Sequence, residues 1–173
     1  LEPEQTRLVL SRIKERSNRL LAFIGEYGRL SQLTSPKLSW FAFSPVLNEA
    51  IAMQPTNSVR IEFDGEDRCF GDKDQVIQLL INLIKNAIEA SGDRPRVRVR
   101  LLQNQQMQTI EVRDFGSGFA NLNNAVTPFY TTKKQGSGIG LALCAEIARN
   151  HKGELKVTNH AEQGAVVTLS WPC

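Results

Sequence analysis

The feature that most constrains this chain is a change of period near residue 92. Between Asp72 and Ala90 the apolar residues Val76, Leu79, Leu80, Leu83, Ile84 and Ala87 recur at helical spacing, and Asp72 is a natural N-cap for that helix. Ser91, Gly92 and Asp93 end it. Strict alternation follows: Val97, Val99 and Leu101 between Arg96, Arg98 and Arg100, then Ile110 and Val112 beside Glu111 and Arg113. A helix with one apolar stripe next to two strands with one apolar face buries both by laying the helix on the sheet. The arginines invite an anion-site reading, but a solvated sheet face is the better account of the alternation.

The flanking segments extend this pattern. Val59, Ile61 and Phe63 alternate as a strand, Trp40, Phe41 and Phe43 suggest a short extended piece, and Ser44 before Pro45 reads as the cap and first turn of a helix to Met53. Helix resumes near Gly138 and runs to Asn150, Gly153 breaks it, and Leu155, Val157, Val166 and Thr168 suggest a closing pair of strands. The order predicts an α+β chain, a two-layer α/β sandwich with a mixed sheet and helices on one face.

Residues 4–35 read differently. A heptad frame puts Leu10, Ser17, Ile24 and Ser31 at a, and Ile13, Leu20, Tyr27 and Thr34 at d, with Leu21, Phe23 and Leu30 widening the stripe. A helix of roughly thirty residues reaches about 45 Å, more than one small domain covers, so a partner helix is expected. Pro36 stops it, which gives a division into 1–36 and 37–173.

Composition narrows the classes. Of 173 residues, 41% are hydrophobic and 23% charged, as in globular proteins. A net charge of +3, from 21 basic and 18 acidic side chains, forms no polybasic stripe and argues against nucleic acid as a partner. Cys69, Cys144 and Cys173 are odd in number and lack metal-ligand spacing, which favours a reducing compartment. Apolar stretches such as 79–84 are far shorter than the roughly 18 residues of a membrane span. The start at Leu1 rather than Met suggests a piece of a longer protein, of cytoplasmic location whether or not its parent is anchored in the inner membrane.

Three segments carry chemistry. Asn82 and Asn86 share a helix face; alone, they read more readily as surface carboxamides. Asp114-Phe115-Gly116-Ser117-Gly118 directly follows a strand, where glycines allow close approach and a carboxylate accepts hydrogen bonds, although a plain turn fits equally. Gln135 to Leu141 is a glycine-rich loop opening a helix, whose N-terminal N–H groups suit phosphate. Its G-x-G-x-G spacing is not the dinucleotide fingerprint. Residues 114–135 form a long aperiodic loop of the functional kind.

In order and spacing these segments resemble the GHKL (Bergerat-type) ATP-binding superfamily, and within it the sensor histidine kinases. Residues 82–87 look like the N box, 114–118 the first glycine box, 128–133 the F box and 136–141 the second glycine box, while residues 1–35 resemble the second helix of the dimerisation and phosphoacceptor hairpin. The resemblance implies an ATP and Mg²⁺ site drawn from Asn82, Lys85, Asn86, Asp114, Gly116, Gly118, Phe129, Thr131, Thr132, Lys133, Gly136, Ser137, Gly138, Ile139, Gly140 and Leu141. Within it Asn86 would hold Mg²⁺, Asp114 would accept from the adenine amino group, Phe129 would anchor the lid and Lys133 would lend charge. The family's hydrolases carry a Glu four residues before the metal-binding Asn; here Asn82 stands there, which favours phosphoryl transfer over hydrolysis. Glu89 reads as a solvent-facing helix residue, and Ala165 stands where the family often has Thr or Ser.

The implied acceptor, a His followed by an acidic residue and a Pro, does not occur in the chain. His151, expected as a cation at a helix end, and His160, in a turn, both read as structural. No residue is therefore assigned as catalytic. The expected partners are the phosphoacceptor hairpin of the same or a partner subunit and the receiver domain of a response regulator, with a homodimer in the intact protein. A GHKL-type serine kinase and a nucleotide-responsive scaffold are the alternatives.

Overall fold

The computed structural model describes residues 3–55, 59–92, 95–133 and 136–173. Asp93, Gln135 and the side chain of Leu30 lie outside that description. A five-stranded sheet forms from β2 (Arg60–Gly65), β4 (Arg96–Gln103), β5 (Met107–Asp114), β7 (Ala165–Pro172) and β6 (Glu154–Asn159), in that order across the sheet. β2 runs parallel to β4 and the other neighbours are antiparallel. Register sets Val99 opposite Val112 and Ile110 between Leu101 and Leu169, so one face is continuously apolar. Helices α3 (Lys73–Ala90) and α4 (Gly140–Asn150) cover that face, and α2 (Phe43–Ala52) packs on α3. Leu79, Leu80, Ile84, Val97, Ile110, Ile147, Leu169 and Trp171 are all fully buried there. Each buried aliphatic contributes about 1.5–3 kcal/mol, which is why the mixed sheet with helices on one face is the stable arrangement.

A separate ribbon pairs β1 (Ser39–Ala42) with β3 (Arg68–Gly71), Trp40 opposite Phe70. The sequence gives little sign of β3, whose four residues are too few to show a period. Side chains tie it to the main sheet: the Phe70 N–H donates to Gln108 Oε1 at 2.8 Å, and the Phe70 carbonyl accepts from Gln108 Nε2 and from Trp171 Nε1. Gln108 is fully buried, and these bonds satisfy it.

Two expectations about helix ends are corrected. Helix α1 spans Pro3–Ser31, stopping short of residue 35. Beyond it the Thr34 carbonyl accepts from Gln75 Nε2 at 3.0 Å and the Lys37 N–H donates to Asp72 Oδ2 at 2.7 Å, so tertiary partners claim the groups another helical turn would use. Helix α2 begins at Phe43, with Ala42 and not Ser44 at the cap. Asp67, from the β2–β3 turn, caps it across space: its side chain accepts the Ser44 N–H at 2.6 Å and its carbonyl the Phe43 N–H at 2.9 Å. The Ser44 hydroxyl, then its N–H, hold the Asp67 carboxyl below the usual carboxylate range.

Asp72 is the N-cap expected of it, accepting from the N–H groups of Asp74 and Gln75, each at 3.1 Å. Its own N–H donates to His151 Nε2 at 3.0 Å, while His151 Nδ1 meets the Ile147 carbonyl at 2.8 Å. That pair of partners fixes a neutral imidazole with its proton on Nδ1. His151 is thus not the helix-end cation the sequence suggested: it is 3% exposed, and burial lowers its pKa against the opposing pull of the Ile147 carbonyl and Asp72. The unfolded chain binds this proton near pH 6.5 and the folded chain resists it. The stabilisation is complete above about pH 6.5 and is lost as pH falls through the lower folded value. Urea midpoints between pH 7.5 and 5 should fall in the wild type and flatten in His151→Gln, which is weaker at pH 7.5; parallel slopes would contradict this.

Cys69 and Cys144 are free and buried, with burial pushing the Cys69 thiol up to about 12 and the Cys144 thiol higher still, so both behave as core residues. No helix among the described residues is long and apolar enough to cross a membrane.

Candidate functional site

The site lies where the end of β5, the exposed edge of α3 and the start of α4 converge. β5 ends on Asp114, whose rung opposite Val97 fixes its backbone. The carboxylate is 7% exposed, and Oδ1 accepts from the Gly116 N–H at 2.9 Å and the Ala165 N–H at 3.1 Å. Both recorded bonds fall on Oδ1, which leaves acceptor capacity on Oδ2 for a ligand amino group. Ala165 therefore contributes a backbone donor where the family pattern led one to look for a hydroxyl.

Asn159, at the end of β6, has no signal in the sequence, yet its side chain accepts the Phe119 N–H at 2.8 Å and donates to the Phe119 carbonyl at 3.0 Å. This pairing holds the first glycine box against the sheet, with Gly118 beside it. Contacts forty residues apart in sequence leave no local pattern to read.

On α3, Asn82 and Asn86 face the first turn of α4. A methyl group on Gly140 would lie 3.5 Å from Asn82 Oδ1 and 3.7 Å from Asn86 Nδ2. Helix α4 starts at Gly140 rather than Gly138, and no side chain caps its N-terminus, so its first N–H groups remain suited to an anion. Gly138 has φ +70°, and a Cβ there would sit 2.5 Å from the Phe129 carbonyl carbon, where only glycine fits. Ile139 is fully buried and Leu141 is 9% exposed, so their side chains belong to the core and only their backbones border the site. Ser137 Oγ accepts the Ile139 N–H at 3.2 Å. Lys85 and Thr132 are exposed.

The loop that follows β5 is fastened at two points. Thr131 Oγ1 accepts the Lys133 N–H at 3.1 Å near Gly136, and Lys133 Nζ reaches α3, donating to Asn86 Oδ1 at 3.1 Å and Glu89 Oε2 at 2.5 Å. Phe129, at φ 69° and 53% exposed, anchors the other side, but against α1 rather than in the domain core. Its ring centroid lies 5.6 Å from Phe23 and 6.3 Å from Tyr27.

The arginines occupy the sheet face opposite α3 and α4. Glu62 pairs with Arg60, Arg96 and Arg98, and hydrogen bonds from Arg96, then Arg98, hold its carboxyl below the usual range. Arg113 departs from a solvated face: it is 9% exposed and its Nε is buried without a hydrogen-bond partner among the described residues. Its guanidinium carbon lies 4.4 Å from the Phe115 ring centroid, as does that of Arg96.

A mixed sheet roofed by helices, with asparagines on one helix facing a glycine-opened second helix and a buried aspartate at a strand end, defines an ATP-binding domain of the GHKL kind. Residues 71–173 match the histidine kinase-, DNA gyrase B- and HSP90-like ATPase family, and the chain belongs to that family. It is 38% identical over 104 residues to sporulation kinase A of Bacillus subtilis (59% of this chain, 17% of that protein) and 29% identical over 180 residues to the sensor histidine kinase ZraS of Escherichia coli K12 (99% and 38%). The chain thus spans well under half the length of these curated relatives. Among solved structures, the catalytic domain of histidine kinase ThkA is 26% identical with a TM-score of 0.70, over 79% of this chain and 95% of that one. Histidine kinase ThkA in complex with the response regulator TrrA gives a TM-score of 0.77 at 22% identity, over 99% and 52%, a likeness of fold.

Proposed function

We propose that this chain is the ATP-loading portion of a two-component sensor histidine kinase and that it passes the γ-phosphoryl group to a histidine outside residues 1–173. The observation that carries the reading is the α3 face opposite Gly140: carboxamides stand at both Asn82 and Asn86, with no carboxylate at the position where the family's hydrolases place the base for water. Phosphoryl transfer asks mainly for positioning and charge neutralisation, which carboxamides, a glycine loop and a helix N-terminus supply.

Asp114 would take the adenine amino group, the start of α4 the phosphates, and Asn86 the Mg²⁺. The fit of Asn86 to a cation is supported by the Lys133 ammonium 3.1 Å from its Oδ1, and a carboxamide oxygen is a hard donor of the sort magnesium takes. When bound, magnesium would neutralise charge on the phosphates. Neither histidine of the chain is suited to accept phosphate: His151 is buried with both nitrogens engaged, and His160 Nδ1 accepts the Glu162 N–H at 3.2 Å.

The α1 stripe supports a helical partner, since Leu10, Ile13, Leu20 and Ile24 are each more than half exposed. We assign residues 1–36 to the second helix of a dimerising hairpin and 37–173 to the catalytic domain, with a receiver domain as the downstream partner and a cytoplasmic setting. The chain incubated with γ-labelled ATP and a separately made phosphoacceptor hairpin should yield acid-labile, base-stable phosphate on histidine. Acid-stable label, or none despite ATP binding, would overturn the reading.

A further inference from the structure

Glu89 was expected to be a plain solvent-facing residue, yet it shares one cation with Asn86. The two lie three residues apart on α3 and therefore project from the same face. Lys133 Nζ bridges them, 3.1 Å from Asn86 Oδ1 and 2.5 Å from Glu89 Oε2. The geometry points to a two-oxygen cation position, Asn86 with Glu89, for which the lid ammonium of Lys133 and Mg²⁺ compete. This rests on the reading of Asn86 as the metal-holding residue.

Two cations cannot use the same carboxamide lone pairs, and at close range their like charges repel. A metal held at Asn86 would deprive Lys133 of that oxygen, and the freed ammonium would be available to a phosphate. Glu89 would remain beside it as a second oxygen donor of the kind a hard cation takes. The Glu89 and Lys133 side chains are about 40% exposed (40% and 39%), so the competition is that of a surface ion pair and its effect is modest.

Manganese, visible by electron paramagnetic resonance, serves as the probe for the metal position in the presence of saturating ADP. Glu89→Gln is expected to weaken manganese binding about threefold and Lys133→Met to tighten it about threefold, the range of an exposed ion pair. Unchanged affinity in Glu89→Gln, or weakened affinity in Lys133→Met, would overturn the shared position. Asn86→Ala separates this from the underlying assignment: wild-type manganese affinity in that variant would remove Asn86 itself from the metal site, whereas loss of binding there beside an unaffected Glu89→Gln would reject Glu89 alone. ADP affinity without metal, measured by calorimetry on the same proteins, distinguishes loss of metal from loss of nucleotide.

Discussion

Asp114→Ala is expected to lower ATP affinity by about 10- to 100-fold, the worth of a hydrogen bond to a charged acceptor. It should also destabilise the domain by roughly 1–3 kcal/mol, because the N–H groups of Gly116 and Ala165 lose their shared acceptor in a buried place. Asp114→Asn separates the two effects. Its carbonyl oxygen can still accept from Gly116 and Ala165, so melting should stay near wild type, but its amide then presents a donor to the donor edge of adenine. Calorimetric titration should show ATP weakened in both variants and, in Asp114→Asn, a relative shift toward GTP, whose base offers an acceptor at that edge. Undiminished ATP binding in a folded Asp114→Asn would remove this residue from base recognition.

The second large effect is expected at Gly164, in the turn between β6 and β7. Its φ is +87°, and a Cβ there would lie 2.0 Å from the Asp114 carbonyl oxygen, inside any allowed contact. An alanine must therefore either displace the backbone of Asp114 or abandon the turn. Strain in the left-handed region adds about 1–2 kcal/mol to the clash. Gly164→Ala should cost more than about 3 kcal/mol and lower Tm by roughly 10 °C for a chain of this size. ATP binding should fall even below the melting range, because the Ala165 N–H that steadies Asp114 moves with the turn. A differential scanning trace and an ATP titration at low temperature measure both, and a wild-type Tm would show that the turn relaxes freely.

Much of this was legible in the sequence because its signals are local. Asp72 caps α3 through residues two and three positions away, and the alternation of Val97, Val99 and Leu101 is the pleat of β4 itself. The boxes around Asn86, Asp114 and Gly138 are likewise contiguous. What was misread is long-range. The cap of α2 comes from Asp67, β3 is tied down by Gln108 and Trp171, and His151 is kept neutral by burial, with the Asp72 N–H on its Nε2. The lid is a similar case. Phe129 could be read as an anchor, but its mooring to Phe23 and Tyr27 spans more than a hundred residues.

The sequence by itself determined the helices apart from some of their ends, and all five strands of the main sheet, because period follows from nearest-neighbour sterics; the residues suited to a nucleotide were legible through the resemblance of their boxes to the GHKL pattern. Only the tertiary structure decided which oxygen of Asp114 is already engaged, which donors engage it, and that Asn86 and Glu89 share the Lys133 ammonium. Hydrogen bonds and ion pairs between distant segments exist only once packing has closed the loops between them, and the entropy of that closure is offset by the whole core rather than by any residue at the site.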